Sequence, residues 1–429
     1  MIALYNKFIK HKFNFDIFIS SDYNKRQGGQ NMKVGFSIKK INPQVGCQME
    51  GYNPRNSTGI HDDLTTSVLV LNKNFVIISL DLIAIPAFRV DRIKRRINEK
   101  YSINPDHIII SAIHTHSGPT VTDLLIDYPK IDNSYWKLID EQVLKGIECA
   151  LQNSSSSELK LIQYKVPNGI YANRNSESLP YNRSIMELRF THNSTIRASL
   201  LFVATHPTVM NIKNTLISAD LIEGIRQQYK KLHNLKPMVV LSDCADTSTR
   251  FTRKESSFKE IDRLAKLIGQ SLTKPILEKT LNWKLNSIRN INEKCDYDPI
   301  TNKIANKLYD LICFRYNKAT STNQKQMLKG LLDTYKHIRY YGHTHFTTHA
   351  MIYDFNDFRI VTYPGELVYA LGDKIRNHDK KITLLITLAN DYRGYSVDVG
   401  EFGKYFESYN SVFLKGMADD FVNQIVNQY

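Results

Sequence analysis

His107-Ile108-Ile109-Ile110-Ser111-Ala112-Ile113-His114-Thr115-His116-Ser117-Gly118-Pro119 (HIIISAIHTHSGP) is the stretch whose reading decides the fold. Its short β-branched run predicts a buried strand, His107–Ile113, that runs into a loop. Side chains two apart on an extended segment point to one side, so His114 and His116 can face a common site. Gly118-Pro119 then turns the chain away. In α/β folds ligands gather at strand carboxyl ends, which is where this pair stands.

Elements of the same kind lie on both sides. Val68–Leu71 and Phe75–Leu80 predict a hairpin around Asn72–Asn74. Arg89–Lys100, Tyr135–Gln152, Leu221–Leu232 and Phe258–Leu277 carry helical apolar spacing, and a closing helix is expected near Ser411–Gln428. Leu159–Tyr164, Ile185–Phe190, Ala198–Ala204, Met238–Leu241, Ala350–Tyr353, Phe358–Tyr363 and Thr383–Leu388 read as strands. Residues 282–332 have the weakest pattern and read as an insertion or surface region. The fold class that follows is α/β, with mixed β-sheets flanked by helices in a single large catalytic domain.

Further polar groups follow these strands: His206-Pro207, Asp246-Thr247-Ser248, Tyr363-Pro364-Gly365-Glu366, and Asn390-Asp391-Tyr392-Arg393-Gly394-Tyr395. Five strands thus deliver metal-competent or nucleophilic groups at their carboxyl ends, and their convergence is a stronger signal than any one. A second His-Thr-His, His343–His345, with His337 and His349 nearby, reads instead as one face of an edge strand.

The chain of 429 residues is long enough for a sizeable core, and its 42% hydrophobic and 23% charged residues exclude a largely disordered chain. Asn72, Lys73, Asn74 and Asp81 break the greasiest stretch, so no membrane span is expected. The net charge of +15 is scattered, without a basic stripe interleaved with aromatics, which argues against a nucleic-acid partner. Five widely spaced cysteines without a CxxC pair favour neither disulfides nor a cysteine-built zinc site, and suit a reducing compartment. Residues 1–31 contain no apolar signal segment, which predicts a cytoplasmic protein. They read as a leader before a start at Met32; removing their five basic and two acidic residues leaves +12, and the catalytic unit is expected over 32–429.

Beyond single motifs, Gly51-Tyr52, Gly59–Leu64 (GIHDDL), Ser79–Leu82 (SLDL), Ser111–Pro119, Thr205–Thr208 (THPT), Ile217–Asp220 (ISAD), Asp246–Ser248, Pro364–Glu366 and Ala389–Tyr392 (ANDY) occur together in order. In this the chain resembles the neutral/alkaline non-lysosomal ceramidase family of zinc-dependent amidases, from about Gly35 to Tyr405. The resemblance implies a Zn²⁺ ion held by His114, His206, Glu366 and Tyr395, with His116 transferring protons. It implies Arg174 near the substrate carbonyl, Tyr405 at the oxyanion with a spacing two or three residues short, and Ser248 as the residue designated nucleophile. Thr249 stands where the family has proline.

Metal-activated water can do the nucleophile's work, since a bound metal lowers the pKa of water towards about 7. Asp246 is no obvious base for Ser248, so Ser248 reads as a positioning residue, with serine attack as the open alternative. The chain ends a few tens of residues past Tyr395, without the family's C-terminal immunoglobulin-like domain. The expected activity is hydrolysis of an amide bond in a small-molecule or lipid-like N-acyl compound, with peripheral membrane contact left open. An esterase or other carbon–nitrogen hydrolase, and a basic non-catalytic binder of nucleic acid or anionic surfaces, are the competing readings.

Overall fold

The computed structural model describes residues 32–52, 54–122, 129–321 and 344–429, with 324–325, 328–329, 331–332 and 335 between them. The 1–31 leader, His337 and His343 lie outside the described residues. The first sheet contains β1 (Met32–Lys40), β2 (Thr65–Leu71), β3 (Phe75–Leu80), β4 (Ile108–Ala112), β5 (Ser155–Lys165), β6 (Ser184–His192), β7 (Thr195–Val203), β8 (Met238–Leu241) and β9 (Leu277–Leu281). Its order is β8-β7-β6-β5-β1-β2-β3-β4, with β9 also paired to β5. The pairs β3–β4 and β7–β8 are parallel and the rest antiparallel. The second sheet runs β10 (Leu285–Tyr297), β11 (Thr344–Phe355), β12 (Phe358–Thr362), β13 (Ile382–Ile386), with β12–β13 parallel.

Alternation along the strands builds the layers. Val68, Val70, Ile78, Ile108 and Ile110 face helices α1 (Ala87–Tyr101), α2 (Asn133–Gln152), α3 (Leu221–His233) and α4 (Phe258–Ser271). Leu69, Leu71, Ile77 and Ile109 point the other way and meet Trp283, Tyr353, Phe355, Phe358 and Leu384 between the two sheets. The outer face of the second sheet packs Ile352, Val361 and Leu385 against α6 (Tyr369–Arg376) and α8 (Met417–Val426). Side chains of period two thus fill two cores at once. Helix α5 (Lys303–Lys318) and the short α7 (Phe406–Tyr409) share a separate, smaller apolar cluster through Leu308, Ile312 and Tyr409.

The predicted hairpin forms, with Asn72 and Lys73 at φ of 48° and 63° as a type I′ turn requires. Three expectations are corrected. The helix from Phe258 ends at Ser271, because Pro275 cannot continue it and Leu277 belongs to β9. The weakly patterned 282–332 contains the 13-residue strand β10, whose inward positions include Glu293. That carboxylate accepts from Gln424 at 2.8 Å and takes the place of an apolar side chain in the alternation. The strand bearing His345 pairs with β10 along its length but meets β12 only over Ile352–Asp354, so at His345 it is paired on one side, as an edge strand is. The closing helix begins at Met417; Ser411 before it is spent on a turn, its hydroxyl donating to the Tyr395 carbonyl at 2.7 Å.

The two sheets are stitched at the ends that carry the polar motifs. Thr387 N–H donates to Leu241 O at 2.8 Å, Asn390 N–H to Ile110 O at 2.8 Å and Ala112 N–H to Leu388 O at 3.1 Å. Ala245 N–H donates to Leu367 O at 3.1 Å. The carboxyl ends of β4, β7, β8, β12 and β13 therefore meet in one place.

Candidate metal centre and active site

His114, His206 and Glu366 converge there, fully buried, with ligand atoms all within 4.8 Å of one another. Glu366 Oε2 lies 2.7 Å from His206 Nε2 and 3.2 Å from His114 Nε2. Each imidazole is held by its other nitrogen. His114 Nδ1 is 2.8 Å from Ile83 O and His206 Nδ1 is 2.6 Å from Cys244 O. A carbonyl only accepts, so both Nδ1 atoms carry the proton and both Nε2 lone pairs turn inward, the arrangement that metal-binding histidines use. Two neutral imidazoles and a carboxylate in a buried pocket suit a divalent metal ion, and this group could hold one.

His116 completes a third such arm. Its Nδ1 is 3.0 Å from Gly51 O, and its Nε2 is 3.2 Å from His114 Nε2. The chain is not extended between the two residues as the spacing suggested: His114 has φ of 62°, in the left-handed region, and the rings meet edge to face at 4.8 Å. A non-glycine residue held there stores strain, a feature that gathers at functional sites. Burial pushes both His116 and His206 below the usual histidine pKa; the neighbouring imidazoles add to this for His116, and Arg174 does so for His206. Burial opposes ionisation of Glu366, but the His114 and His206 imidazoles outweigh it and hold the carboxyl well below its ordinary range.

Arg174 reaches the same point from the end of the two-residue strand Ala172–Asn173, which pairs antiparallel with Thr247–Ser248. Its Nη1 is 3.5 Å from His206 Nε2, its Nε donates to Glu407 Oε1 at 2.7 Å, and its buried Nη2 has no hydrogen-bond partner among the described residues. A buried donor left over beside the metal ligands suits a carbonyl oxygen of a substrate. Burial works against the guanidinium's charge, but Tyr395 and Glu407 outweigh it and keep its pKa well above the ordinary value.

Tyr395 is buried, with the Arg174 guanidinium 5.3 Å from its ring centre and the His206 ring at 6.4 Å. Ser248 is buried, and its hydroxyl accepts from Arg250 N–H at 3.2 Å. Thr247 beside it accepts the His206 N–H at 2.9 Å. Tyr405 precedes α7 and makes no side-chain hydrogen bond to the cluster among the described residues; from this segment it is Phe406 that lies near Tyr395 and Arg174, at 6.1 and 5.8 Å. His345 stands apart at the surface, 3.4 Å from Asp296.

Two participants were not assigned from sequence. Tyr392 donates to Glu366 Oε1 at 2.6 Å, and Glu407 holds Arg174 while also accepting from Asn175 at 3.0 Å. Tyr392 sits inside the quoted ANDY segment, which was its only signal. Glu407 had none.

Residues 32–226 match the family model described as neutral/alkaline non-lysosomal ceramidase, N-terminal. That stretch contains His114, His116, Arg174 and His206. A crystal structure of neutral ceramidase from Pseudomonas aeruginosa matches with a TM-score of 0.68 at 13% identity, covering 92% of this chain and 73% of that one. A structure of a ceramidase complexed with C2 matches with a TM-score of 0.69 at 12% identity, covering 93% and 75%. At such identities the two structures establish the shared fold.

Proposed function

From a chain related to the neutral/alkaline non-lysosomal ceramidases, a family of hydrolases acting on amide bonds, we propose a zinc-dependent amidase that cleaves an N-acyl compound, lipid-like in character. One observation carries this reading. Two imidazoles, each fixed through Nδ1 to a backbone carbonyl, turn Nε2 towards one buried carboxylate, with a third imidazole, likewise fixed, 3.2 Å from the first and the Arg174 guanidinium beside them.

In this proposal His114, His206, Glu366 and Tyr395 hold the ion within a unit spanning 32–429. Zinc, when bound, supplies a Lewis acid and lowers the pKa of water. Arg174 donates from Nη2 to the acyl oxygen, where negative charge grows as the carbonyl carbon becomes tetrahedral. Burial keeps His116 neutral, so its Nε2 can take a proton from the attacking group and return it to the leaving amine. Ser248 orients the substrate. Tyr405, one residue before Phe406, is assigned a hydroxyl contribution to the same oxygen beside Arg174.

The test is hydrolysis of a panel of N-acyl substrates and matched esters by purified protein, with and without a chelator, alongside its metal content. Amide cleavage abolished by chelation and restored by zinc supports the proposal. Metal-free protein with full activity, or activity on esters alone, would refute it.

A further inference from the structure

Glu407, on the short helix α7, is only 1% exposed, and both of its oxygens are engaged. Oε1 accepts from Arg174 Nε at 2.7 Å and Oε2 from Asn175 Nδ2 at 3.0 Å. The carboxylate thus grips two consecutive residues of the segment that enters the candidate site. Its own helix is held in turn by α5. Tyr409 packs with Leu308 and Ile312, and Arg315 donates to the carbonyls of Gly403 and Lys404 at 3.3 and 3.4 Å.

The bond divides one guanidinium between two tasks. Nε faces the carboxylate, while Nη1 stands 3.5 Å from His206 Nε2 at the candidate metal centre. Fixing Nε sets the plane of the group and so aims its terminal amino groups. The pair also sets a full negative charge against the positive one where water barely reaches, so that each charge acts strongly on the other. Arg174 therefore offers N–H donors to the site with its charge already answered.

Charge is what hydrolysis of an amide changes. The oxygen of water joins the acyl carbon, the C–N bond breaks, and a neutral substrate becomes a carboxylate and an ammonium. An unanswered guanidinium at the site would hold that carboxylate after the reaction. We propose that Glu407 is the counter-charge of Arg174: a positioning residue that orients the guanidinium for a neutral acyl carbonyl and, by cancelling its charge, lets the carboxylate product leave. This deepens the proposed function and rests on that reading for its purpose, though not for the ion pair itself.

Ligand-observed NMR titration of the purified full chain with hexanoate, and with the uncleavable neutral methyl pentyl ketone, tests it. Glu407→Gln keeps an oxygen to accept the Arg174 Nε–H and removes the charge. This variant should bind hexanoate at least roughly tenfold more tightly than wild type does, and the ketone within about twofold of wild type. In turnover, hexanoate should inhibit the variant at a concentration lower by the same factor. A residue that merely supported the fold would weaken both ligands on removal. Should the new amide nitrogen clash with Asn175 and the variant misfold, Glu407→Ala must show the same selective tightening. Unchanged or weaker hexanoate binding by a folded variant, or an equal gain for the ketone, would overturn the proposal. Selective tightening in a chain that cleaves no amide would uphold the counter-charge and sink the amidase reading. Amide cleavage by a wild type whose folded variants bind hexanoate no better would do the reverse.

Discussion

His206 gives its Nδ1 proton to the carbonyl of Cys244, 2.6 Å away, and that bond decides which nitrogen meets Glu366. The partner is a backbone atom in the loop that follows β8, so the orientation of the ring is set by the main chain and not by another side chain. The same device holds His114 and His116.

His206→Ala therefore removes one of the proposed ligands. Purified wild type should hold about one zinc per chain, and the variant should lose both metal and hydrolysis. His345→Ala should lose neither. Elemental analysis showing stoichiometric zinc in the His206 variant would discard the ligand set.

His116→Ala should keep its zinc and lose about 10²–10⁴-fold in kcat, the usual worth of positioned proton transfer. Gly51→Ala probes the same role from the backbone. Its φ is 91°, and an added Cβ would stand 2.5 Å from His116 Nδ1. This variant should lose on the order of 10²-fold in rate with its metal retained, through a displaced ring. Wild-type kinetics in Gly51→Ala would show that His116 needs no such clamp.

Ser248 separates two routes. As a positioning residue, its replacement by alanine should slow turnover without abolishing it, and mass spectrometry of quenched reactions should find no acyl group on the wild-type residue. An adduct on Ser248 would establish serine attack and leave the amidase reading intact.

Asp81 and Arg226 form a buried bidentate pair, both contacts at 2.8 Å, and Asp81 also accepts from Thr65 N–H and Oγ1–H at 2.8 Å. Asp81→Ala strands a buried guanidinium and should cost about 3–5 kcal/mol in urea unfolding. A loss below 1 kcal/mol would mean that water reaches Arg226.

Acid should destabilise the metal-free fold through its imidazoles. His116 and His206 have folded pKa values below the ordinary 6.5, so the unfolded chain binds their protons first. Their contribution is present above about 6.5 and drains away as pH falls through the depressed values. Thermal midpoints of chelator-treated protein should fall on that side, and His116→Gln should fall less. Identical acid profiles would exclude His116 as a contributor.

How much of this was legible depended on whether a side chain or the backbone did the work. The hairpin around Asn72 and the strand at Ile108–Ala112 were readable because period and turn residues agreed; His114 and His116 were paired by motif, although the left-handed His114 breaks the period-two argument. The buried Glu293 concealed β10 by replacing an apolar residue in the alternation. The carbonyls of Ile83, Gly51 and Cys244 carry no signature, since every residue has one, and Glu407 acts from a segment with no motif. Tyr405 rested on a spacing two or three residues short, and such a spacing places a side chain only to within a turn.

The stitching of the two sheets has a consequence for when the protein becomes active. His114 and His206 follow strands of the first sheet and Glu366 follows β12 of the second, with Thr387, Asn390 and Ala245 joining the halves. A nascent chain that has emerged only through β8 owns two imidazoles and no carboxylate to complete them. A product that stops at β8 therefore carries an incomplete set, and an ion held by all three groups would fasten the late half to the early one like a clasp.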